Sequence, residues 1–226
     1  MLVAGFAAGA LATNTWLVAA GPGQPCVIVD LGDSAAGWLP GALAEHDLTP
    51  AAALLSHGHF DHTADAAAVC ATYDIPAWIH PDDRAQVADP WRGIGAAPGT
   101  PIMGRTDFAE PADLRSTADG EVLAVAGLEI TVLHLPGHTP GAVGYLLSGG
   151  DGPVLLSGDV LFAGSIGRCD LPGGSEATMM ASLREKVLPL PDATAVHPGH
   201  GPSSTMARER ASNPYLGLAA EGRDAL

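Results

Sequence analysis

Four potential metal ligands fall within one short stretch, Ser-His-Gly-His-Phe-Asp-His, which begins at Ser56. His57 and His59 are two residues apart, so in an extended chain their side chains leave the same face. Asp61 and His62 follow where the chain is expected to turn into a helix, which brings two more donors beside the same point. Imidazole and carboxylate ligands suit zinc, iron or manganese, and the lack of cysteine argues against a thiolate site. The stretch therefore predicts a transition-metal site.

Three further donors lie in Pro/Gly turns or at a strand end later in the chain. His138 lies in Leu-Pro-Gly-His-Thr-Pro-Gly, Asp159 directly follows an apolar strand, and His200 lies in His-Pro-Gly-His-Gly. Such turns expose a side chain and let the backbone approach an ion closely. Together with the first four donors, these three fill two coordination spheres. We therefore predict two divalent metal ions, with zinc favoured and iron or manganese also compatible.

The remaining four histidines have no comparable setting. His46 follows a predicted helix, His80 precedes a proline at a strand end, and His134 and His197 each precede one of the ligand-bearing turns. We interpret them as packing residues or as hydrogen-bond partners of ligands, because a metal-bound imidazole usually needs an oriented partner.

Composition limits the classes of function. The chain has 226 residues, a formal net charge of −15 and only ten lysines and arginines. A nucleic-acid binder needs clustered basic residues to displace counterions, and an acidic surface is repelled by anionic membranes. We therefore expect one domain over residues 1–226, a small-molecule substrate, and neither a nucleic acid nor a membrane as partner; the oligomeric state is left open.

Cysteine usage and the amino-terminal segment point to a reducing compartment. The three cysteines are Cys26, Cys70 and Cys169; their number is odd and they form no Cys-x-x-Cys pair. The first twenty residues are apolar, but no lysine or arginine precedes Arg84, so the charged start of a secretory signal is missing. We expect a cytoplasmic protein.

The order of predicted elements indicates an α/β fold in which strands are followed by helices twice. Strands are predicted at residues 15–19, 26–30, 51–55, 77–80, 121–126, 128–135, 142–147, 154–157 and 193–196. Helices are predicted at 36–45, with Pro40 favouring a late start, at 64–73, with Thr63 as N-cap, and at 81–87, 176–187 and 203–212. Residues 89–119 show no period and are expected to form a functional loop. This order predicts two facing sheets with helices outside, a four-layer αββα sandwich.

The ligand motifs, in this order, resemble the metallo-β-lactamase superfamily over roughly residues 2–215. The resemblance implies the αββα sandwich, with the metals at one edge between the sheets. It also implies that one metal is held by three histidines, His57, His59 and His138. The other metal is then held by Asp61, His62 and His200, and Asp159 bridges the two.

Within that superfamily, the segment Leu-Phe-Ala-Gly-Ser-Ile-Gly-Arg-Cys-Asp after Asp159 is similar to the glyoxalase II-like branch, which hydrolyses hydroxyacyl-thiol conjugates. The resemblance implies that Arg168 contacts the thiol carrier, whereas Asp170 stands where an aromatic partner would be. Glyoxalase II enzymes also carry a helical extension after the last metal motif, and this sequence has only a short segment there. True β-lactamases of the superfamily usually lack the aspartate that corresponds to Asp159, which argues against antibiotic hydrolysis as the main role.

The expected reaction is therefore hydrolysis of a small-molecule acyl bond, with a thioester favoured, by a hydroxide that bridges the metals. Asp61 would orient that hydroxide, and Arg168 would hold a substrate carboxylate. A lactonase or esterase would use the same residues. An iron-dependent persulfide dioxygenase would use His57, His138 and Asp159 on one iron. A superfamily nuclease and a non-catalytic binding module are further alternatives, the first opposed by the acidic charge.

Overall fold

Two six-stranded β-sheets face each other at the centre of the protein. The computed structural model describes residues 1–149 and 152–223. The first sheet contains, in spatial and chain order, β1 (Leu2–Ala8), β2 (Thr13–Ala19), β3 (Pro25–Val29), β4 (Thr49–Leu54), β5 (Ala77–Ile79) and β6 (Leu114–Ser116). Strands β1 to β3 pair antiparallel, and β3 to β6 pair parallel.

The second sheet is built from the carboxyl-terminal half of the chain. Its strands and a small separate hairpin are β7 (Val122–Val125), β8 (Leu128–His134), β9 (Val143–Gly149), β10 (Gly152–Gly158), the hairpin strands β11 (Leu161–Phe162) and β12 (Ser165–Ile166), then β13 (Ala195–Pro198) and β14 (Ser204–Thr205). The spatial order is β14-β13-β10-β9-β8-β7, and only β10 and β13 pair parallel.

Helices cover the outer face of each sheet. They are α1 (Ala35–Glu45), α2 (Phe60–Thr63), α3 (Ala66–Tyr73), α4 (Pro81–Ala88), α5 (Trp91–Ile94), α6 (Glu176–Ser182), α7 (Met206–Ser212) and α8 (Pro214–Ala220). A wider, π-helical turn at Leu183–Val187 continues α6. One apolar cluster joins α1 and α3 to the first sheet, a second lies between the sheets, and a third joins α6, α7 and α8 to the second sheet. These three apolar layers confirm the predicted αββα sandwich.

Strand β2 shows how the sequence produces these layers. Successive side chains of a strand point to opposite faces, so Leu17 packs under the helices while Val18 packs between the sheets. Both side chains are fully buried. A strand that is covered on both faces reads as a continuous apolar run, as Trp16-Leu17-Val18-Ala19 does.

The amino-terminal segment differs most from the sequence prediction. Residues 2–8 form β1, the edge strand of the first sheet, where the sequence pattern indicated no element. This segment consists largely of alanine and glycine, which have low strand propensity, so pairing with β2 determines its structure. No helix in residues 1–149 or 152–223 combines the length and apolarity needed to cross a bilayer.

Helix boundaries differ from the predictions for local reasons. Helix α1 begins at Ala35 and contains Pro40, so the expected late start is wrong. The carbonyl of Ala36, which Pro40 leaves without an intrahelical donor, lies on an exposed part of the helix and can be hydrated. Thr63 is not an N-cap; it belongs to α2 and its hydroxyl donates to the carbonyl of His59. The expected helix at 203–212 is preceded by the short strand β14.

The long segment after α4 is only partly irregular. It contains α5 and strand β6, which extends the first sheet beside β5. Arg105 anchors its middle, because its guanidinium donates to the carboxylate of Asp65 at 2.7 Å and to the carbonyl of Ala64 at 2.8 Å. The segment is therefore held against the α2–α3 region.

One hydrogen bond crosses between the sheets beside the ligand-bearing loop. Tyr145 in β9 is fully buried, and its hydroxyl donates to the carbonyl of Leu55, just after β4, at 2.8 Å. We predict that Tyr145→Phe lowers the free energy of unfolding by about 1–3 kcal/mol, because a buried acceptor loses its donor. Tyr73→Phe is the matched control: Tyr73 is half-buried, no hydrogen bond of its hydroxyl is found in the described structure, and its change should stay within about 0.5 kcal/mol. Urea denaturation measures both, and equal stabilities would contradict the assignment.

Candidate metal centre

All seven predicted donors lie at one edge of the sandwich, where strands from both sheets end. The loop after β4 carries two histidines and leads into α2, which carries an aspartate and a histidine; the other three donors follow β8, β10 and β13. In that order the donors are His57 and His59, Asp61 and His62, His138, Asp159, and His200.

Three histidines form the first group of donors. Ligand atoms of His57, His59 and His138 all lie within 4.8 Å of one another. Nδ1 of His59 and Nε2 of His138 are 2.9 Å apart, and the ring centroid of His57 lies 4.7 Å from that of His138. All three residues are buried. Three imidazoles converging in this way can hold one divalent transition metal.

An aspartate and two histidines form the second group. Oδ2 of Asp61 lies 3.2 Å from Nε2 of His200 and 3.5 Å from Nε2 of His62. Asp159 stands between the groups: its Oδ2 is 3.7 Å from Nε2 of His138, and its Oδ1 is 3.4 Å from Nε2 of His62. This carboxylate can therefore reach an ion in either group.

The residues fit two transition-metal ions. Within this cluster, His57 Nε2 and Asp159 Oδ1 are buried and have no hydrogen-bond partner. An unpaired buried polar atom costs about 1–3 kcal/mol, so two in one cluster call for a ligand that satisfies both. Gly199 leaves the space for this arrangement, because a Cβ at that position would overlap Oδ1 of Asp159. Nitrogen and carboxylate oxygen donors suit zinc, iron or manganese.

A buried carboxylate orients two of the histidines. Asp30 accepts hydrogen bonds from the backbone N–H of Ser56 at 2.7 Å, from the Ser56 hydroxyl at 2.8 Å and from Nδ1 of His62 at 2.8 Å. Because the serine hydroxyl donates to Asp30, its oxygen accepts from Nδ1 of His57 at 3.0 Å. Both imidazoles therefore carry their proton on Nδ1 and turn Nε2 toward the donor cluster, as metal ligands do.

Backbone carbonyls orient two more histidines in the same way. Nδ1 of His138 donates to the carbonyl of Arg168 at 2.7 Å, and Nδ1 of His200 donates to the carbonyl of Leu11 at 3.1 Å. Each bond fixes the tautomer that leaves Nε2 free. The segments that carry Leu11 and Arg168 are thereby tied to the cluster.

Asp83 links the two loops that carry the first group of donors. Its carboxylate, fully buried at the start of α4, accepts from the N–H of Gly58 at 2.9 Å, the hydroxyl of Thr139 at 2.6 Å and the N–H of Gly141 at 2.8 Å. Gly58 separates the first two histidines of the cluster, and Thr139 follows His138. The geometry of the first group therefore depends on a carboxylate that is not itself one of the donors.

Burial and mutual repulsion keep part of the cluster ready to bind a cation. Desolvation, together with the neighbouring imidazoles, lowers the pKa of His57 well below its usual range and lowers the pKa of His59 to about 4. Burial alone would raise the pKa of Asp61 and Asp159, but the adjacent imidazoles, His62 foremost, outweigh it and lower both. Two neutral imidazoles and two carboxylates are the protonation states that metal binding requires.

Two further imidazoles of the cluster, those of His62 and His200, shift in the opposite direction. Burial disfavours a charge on His62, but the carboxylates of Asp159, Asp61 and Asp30 outweigh it and raise its pKa well above the usual range. The pKa of His200 is also raised against its burial, first by its hydrogen bond to Asp61. In the metal-free protein, both side chains therefore keep their second proton to a higher pH than a free imidazole does.

A cavity of about 630 Å³ opens directly on the donors, five of which line it. Arg168 also lines it, but the Arg168 side chain is exposed and its guanidinium forms two 2.7 Å hydrogen bonds with the carboxylate of Asp170. Ile94, at the end of α5, contributes to the wall, so the long segment after α4 reaches the site.

The four remaining histidines lie outside the cluster. His46 is the C-cap of α1, and Nδ1 of His197 bonds with the hydroxyl of Ser203 at 2.8 Å. Ligand atoms of His80, Asp82 and His134 also lie within 4.8 Å of one another. The rings of His80 and His134 stack almost in parallel, 8° apart with centroids at 4.0 Å. Their lone pairs therefore lie side by side and do not point at a common position.

Residues 8–200 match the family model of the metallo-beta-lactamase superfamily, and the chain belongs to that family. An uncharacterised protein of Mycobacterium tuberculosis is 41% identical over 220 residues, which cover 96% of this chain and 98% of the relative. Hydroxyacylglutathione hydrolase GloC of Haemophilus influenzae is 35% identical over 174 residues, which cover 77% of this chain and 79% of that enzyme.

Solved structures show the same fold. The chain resembles the BLEG-1 B3 metallo-beta-lactamase with a TM-score of 0.83 and 37% identity, covering 95% of this chain and 99% of that one. It resembles TTHA1623, solved in a di-iron-bound form, with a TM-score of 0.77 and 35% identity, covering 94% and 100%.

Two residues of the site escaped the sequence analysis. Asp30 follows the buried strand β3 just as Asp159 follows β10, so a carboxylate at a strand end was a usable signal. Asp83 had no such signal, because it lies in the first turn of a helix, where an aspartate is ordinarily explained by the helix dipole.

We predict that Asp83→Asn weakens binding of the first metal by about tenfold or more and lowers stability by about 1–3 kcal/mol. Asparagine has one carbonyl oxygen for the four donors that Asp83 satisfies, the fourth being Nε2 of Gln86 at 3.3 Å. The neighbouring Asp82→Asn is the matched control, because the Asp82 side chain is 57% exposed. Competition with a chromogenic chelator measures the affinity. If both variants retain the wild-type affinity, Asp83 does not position the ligands.

We also predict that loading the chelator-treated protein with zinc releases up to about two protons at pH 6.5, mainly from His62 and His200. Both pKa values are raised above the ordinary imidazole value of 6.5, so each group is more than half protonated at this pH and must lose a proton to coordinate. Metal affinity should fall as the pH is lowered. Calorimetry in two buffers with different ionisation enthalpies measures the release, and heats that do not depend on the buffer would refute it.

Proposed function

We propose that this chain is a hydrolase that uses two divalent metal ions to cleave the acyl bond of a small molecule, preferentially a thioester. The observation that carries the proposal is the convergence of two donor groups, with Asp159 between them, at the floor of a cavity of about 630 Å³. The cavity has the size of a small-molecule site. The acidic charge, −15, supports an uncharged or weakly charged substrate over a nucleic acid.

In this proposal, the first metal would be held by His57, His59 and His138. The second would be held by Asp61, His62 and His200, and Asp159 would serve both. Bound divalent ions would lower the pKa of water and polarise a carbonyl group.

Asp61 is the residue that we propose orients the attacking water. Its Oδ2 faces the cluster and accepts a hydrogen bond from the hydroxyl of Thr13 at 3.1 Å, which fixes the carboxylate. Its lowered pKa keeps it ionised, so it accepts hydrogen bonds and does not donate them. A carboxylate held in this way can align a water molecule with a carbonyl carbon in the cavity.

That Arg168 binds a carboxylate group of the substrate remains a prediction. The guanidinium lies at the cavity wall, but it is engaged by Asp170 through two hydrogen bonds, both between exposed groups. A carboxylate would therefore have to replace Asp170, and the net gain from such an exchange is small.

The thioester is proposed from the similarity to GloC, which is named as a hydroxyacylglutathione hydrolase. A second candidate bond is the β-lactam amide, supported by the 37% identity to the BLEG-1 B3 metallo-beta-lactamase. Zinc is the proposed metal, and the di-iron form of TTHA1623 supports iron as the alternative. If the bound metal is iron, oxygenation of a persulfide becomes a candidate reaction, and the same test covers it.

The test is a panel of thioester, lactone, cephalosporin and persulfide substrates, with oxygen uptake recorded for the last. We predict metal-dependent thioester hydrolysis that chelation abolishes and added zinc restores. Asp159→Ala should lose bound metal and reduce turnover by about 100-fold or more.

Asp107→Ala is the control for that variant, since Asp107 is exposed and forms no hydrogen bond in the described structure. It should match the wild type in metal content and turnover. Asp159→Ala with two bound metals and near-normal turnover would contradict the scheme, and oxygen consumption without hydrolysis would replace it with the dioxygenase.

A further inference from the structure

The wall of the cavity is apolar, although its floor is formed by charged and polar donors. The apolar side chains come from separate parts of the chain: the turn after β1, the start of α2, the end of α5, strand β11 and the loop after β12. They are Leu11, Phe60, Ile94, Phe162 and Leu171. Ligand sites commonly combine an apolar wall with a few polar groups in this way.

The cavity wall offers little to an anionic group. Arg168 is the one basic side chain, histidines aside, among the described residues that line the cavity, and Asp170 already neutralises it through the bonds from Nε and Nη2. A substrate carboxylate that binds away from the metals would therefore lose its hydration and find no unpaired cation to compensate for it. An uncharged group meets no such penalty.

Two of the wall residues are fastened to the metal centre. The backbone carbonyl of Leu11, a residue that is 46% exposed, accepts a hydrogen bond from Nδ1 of His200 at 3.1 Å. Ile94 follows Gly93, where a Cβ would lie 2.8 Å from Cδ2 of His59, so this turn of α5 packs directly on a donor. The apolar surface is thus held beside the position where a scissile bond would lie.

We infer that the substrate carries an uncharged apolar chain or ring next to its scissile bond, bound against Leu11, Ile94 and the neighbouring apolar residues. The inference rests on the proposed function for the position of the scissile bond. Contact with the wall removes the apolar group from water, and each buried methylene strengthens binding by about fourfold. The same contact covers side chains that otherwise face solvent.

The first experiment measures binding without turnover. Linear carboxylates from acetate to octanoate are titrated calorimetrically into the zinc-loaded protein. We expect the affinity to rise by about twofold to fourfold per methylene. The double variant Leu11→Ser/Ile94→Ser should flatten this rise, whereas Val122→Ser, on an exposed side chain of β7, should preserve it. Zinc content and circular dichroism of each variant establish that the site and the fold are intact.

The second experiment measures hydrolysis with the chain placed on either half of the substrate. One series lengthens the acyl group of a thioester from acetyl to octanoyl, and the other lengthens the thiol. In one of the two series kcat/KM should rise with chain length, and the double serine variant should lower the ratio of octyl to short-chain kcat/KM by at least tenfold. The series that responds identifies the half that contacts the wall.

The outcomes separate this inference from the proposed function. If neither the carboxylate affinity nor the rate of hydrolysis depends on chain length, the inference that the wall binds an apolar group is wrong, but the proposed hydrolase function stands. If the affinity rises with chain length but no member of the panel is hydrolysed, the wall binds an apolar group and the proposed hydrolase function is wrong.

Discussion

The constraint on which the rest of the structure depends is the gathering of five imidazoles and two carboxylates at one point, where all but Asp61 and His200 are buried. Each of these groups would be better solvated in water, and several of their atoms have no partner in the protein. Such a cluster is tolerated only if surrounding groups fix it and a ligand satisfies it. The protein provides the fixing groups in Asp30, Asp83 and the carbonyls of Leu11 and Arg168.

The fold supplies the place for this cluster. Strands β4, β8, β10 and β13 end at the same edge of the sandwich, and the donors follow them in loops and in α2, with the loop backbones tied together by buried carboxylates. The apolar layers hold the sheets face to face, and the bond from Tyr145 to Leu55 joins them close to the loop that carries the first histidines. Packing between the sheets therefore helps to hold the ligand-bearing loops in position.

Sequence reasoning found the donors because their types and spacing are local properties. The same reasoning identified the layers, since alternating and continuous apolar runs follow from burial on one or two faces. It missed β1, whose alanines and glycine owe their structure to pairing with β2. It also missed Asp83, because three of the bonds to its carboxylate come from residues 25 to 58 positions away. The pairing of Arg168 with Asp170 also needed coordinates, although the two residues are neighbours in sequence.

The central claim is that two metal ions occupy adjacent positions in this cluster. Anomalous diffraction at the edge of the bound metal, from crystals of the metal-loaded protein, tests it most directly. The account predicts two peaks, one among His57, His59 and His138 and one beside His62 and His200, with Asp159 reaching both. Peaks confined to the surface, or a single peak between His80 and His134, would contradict it.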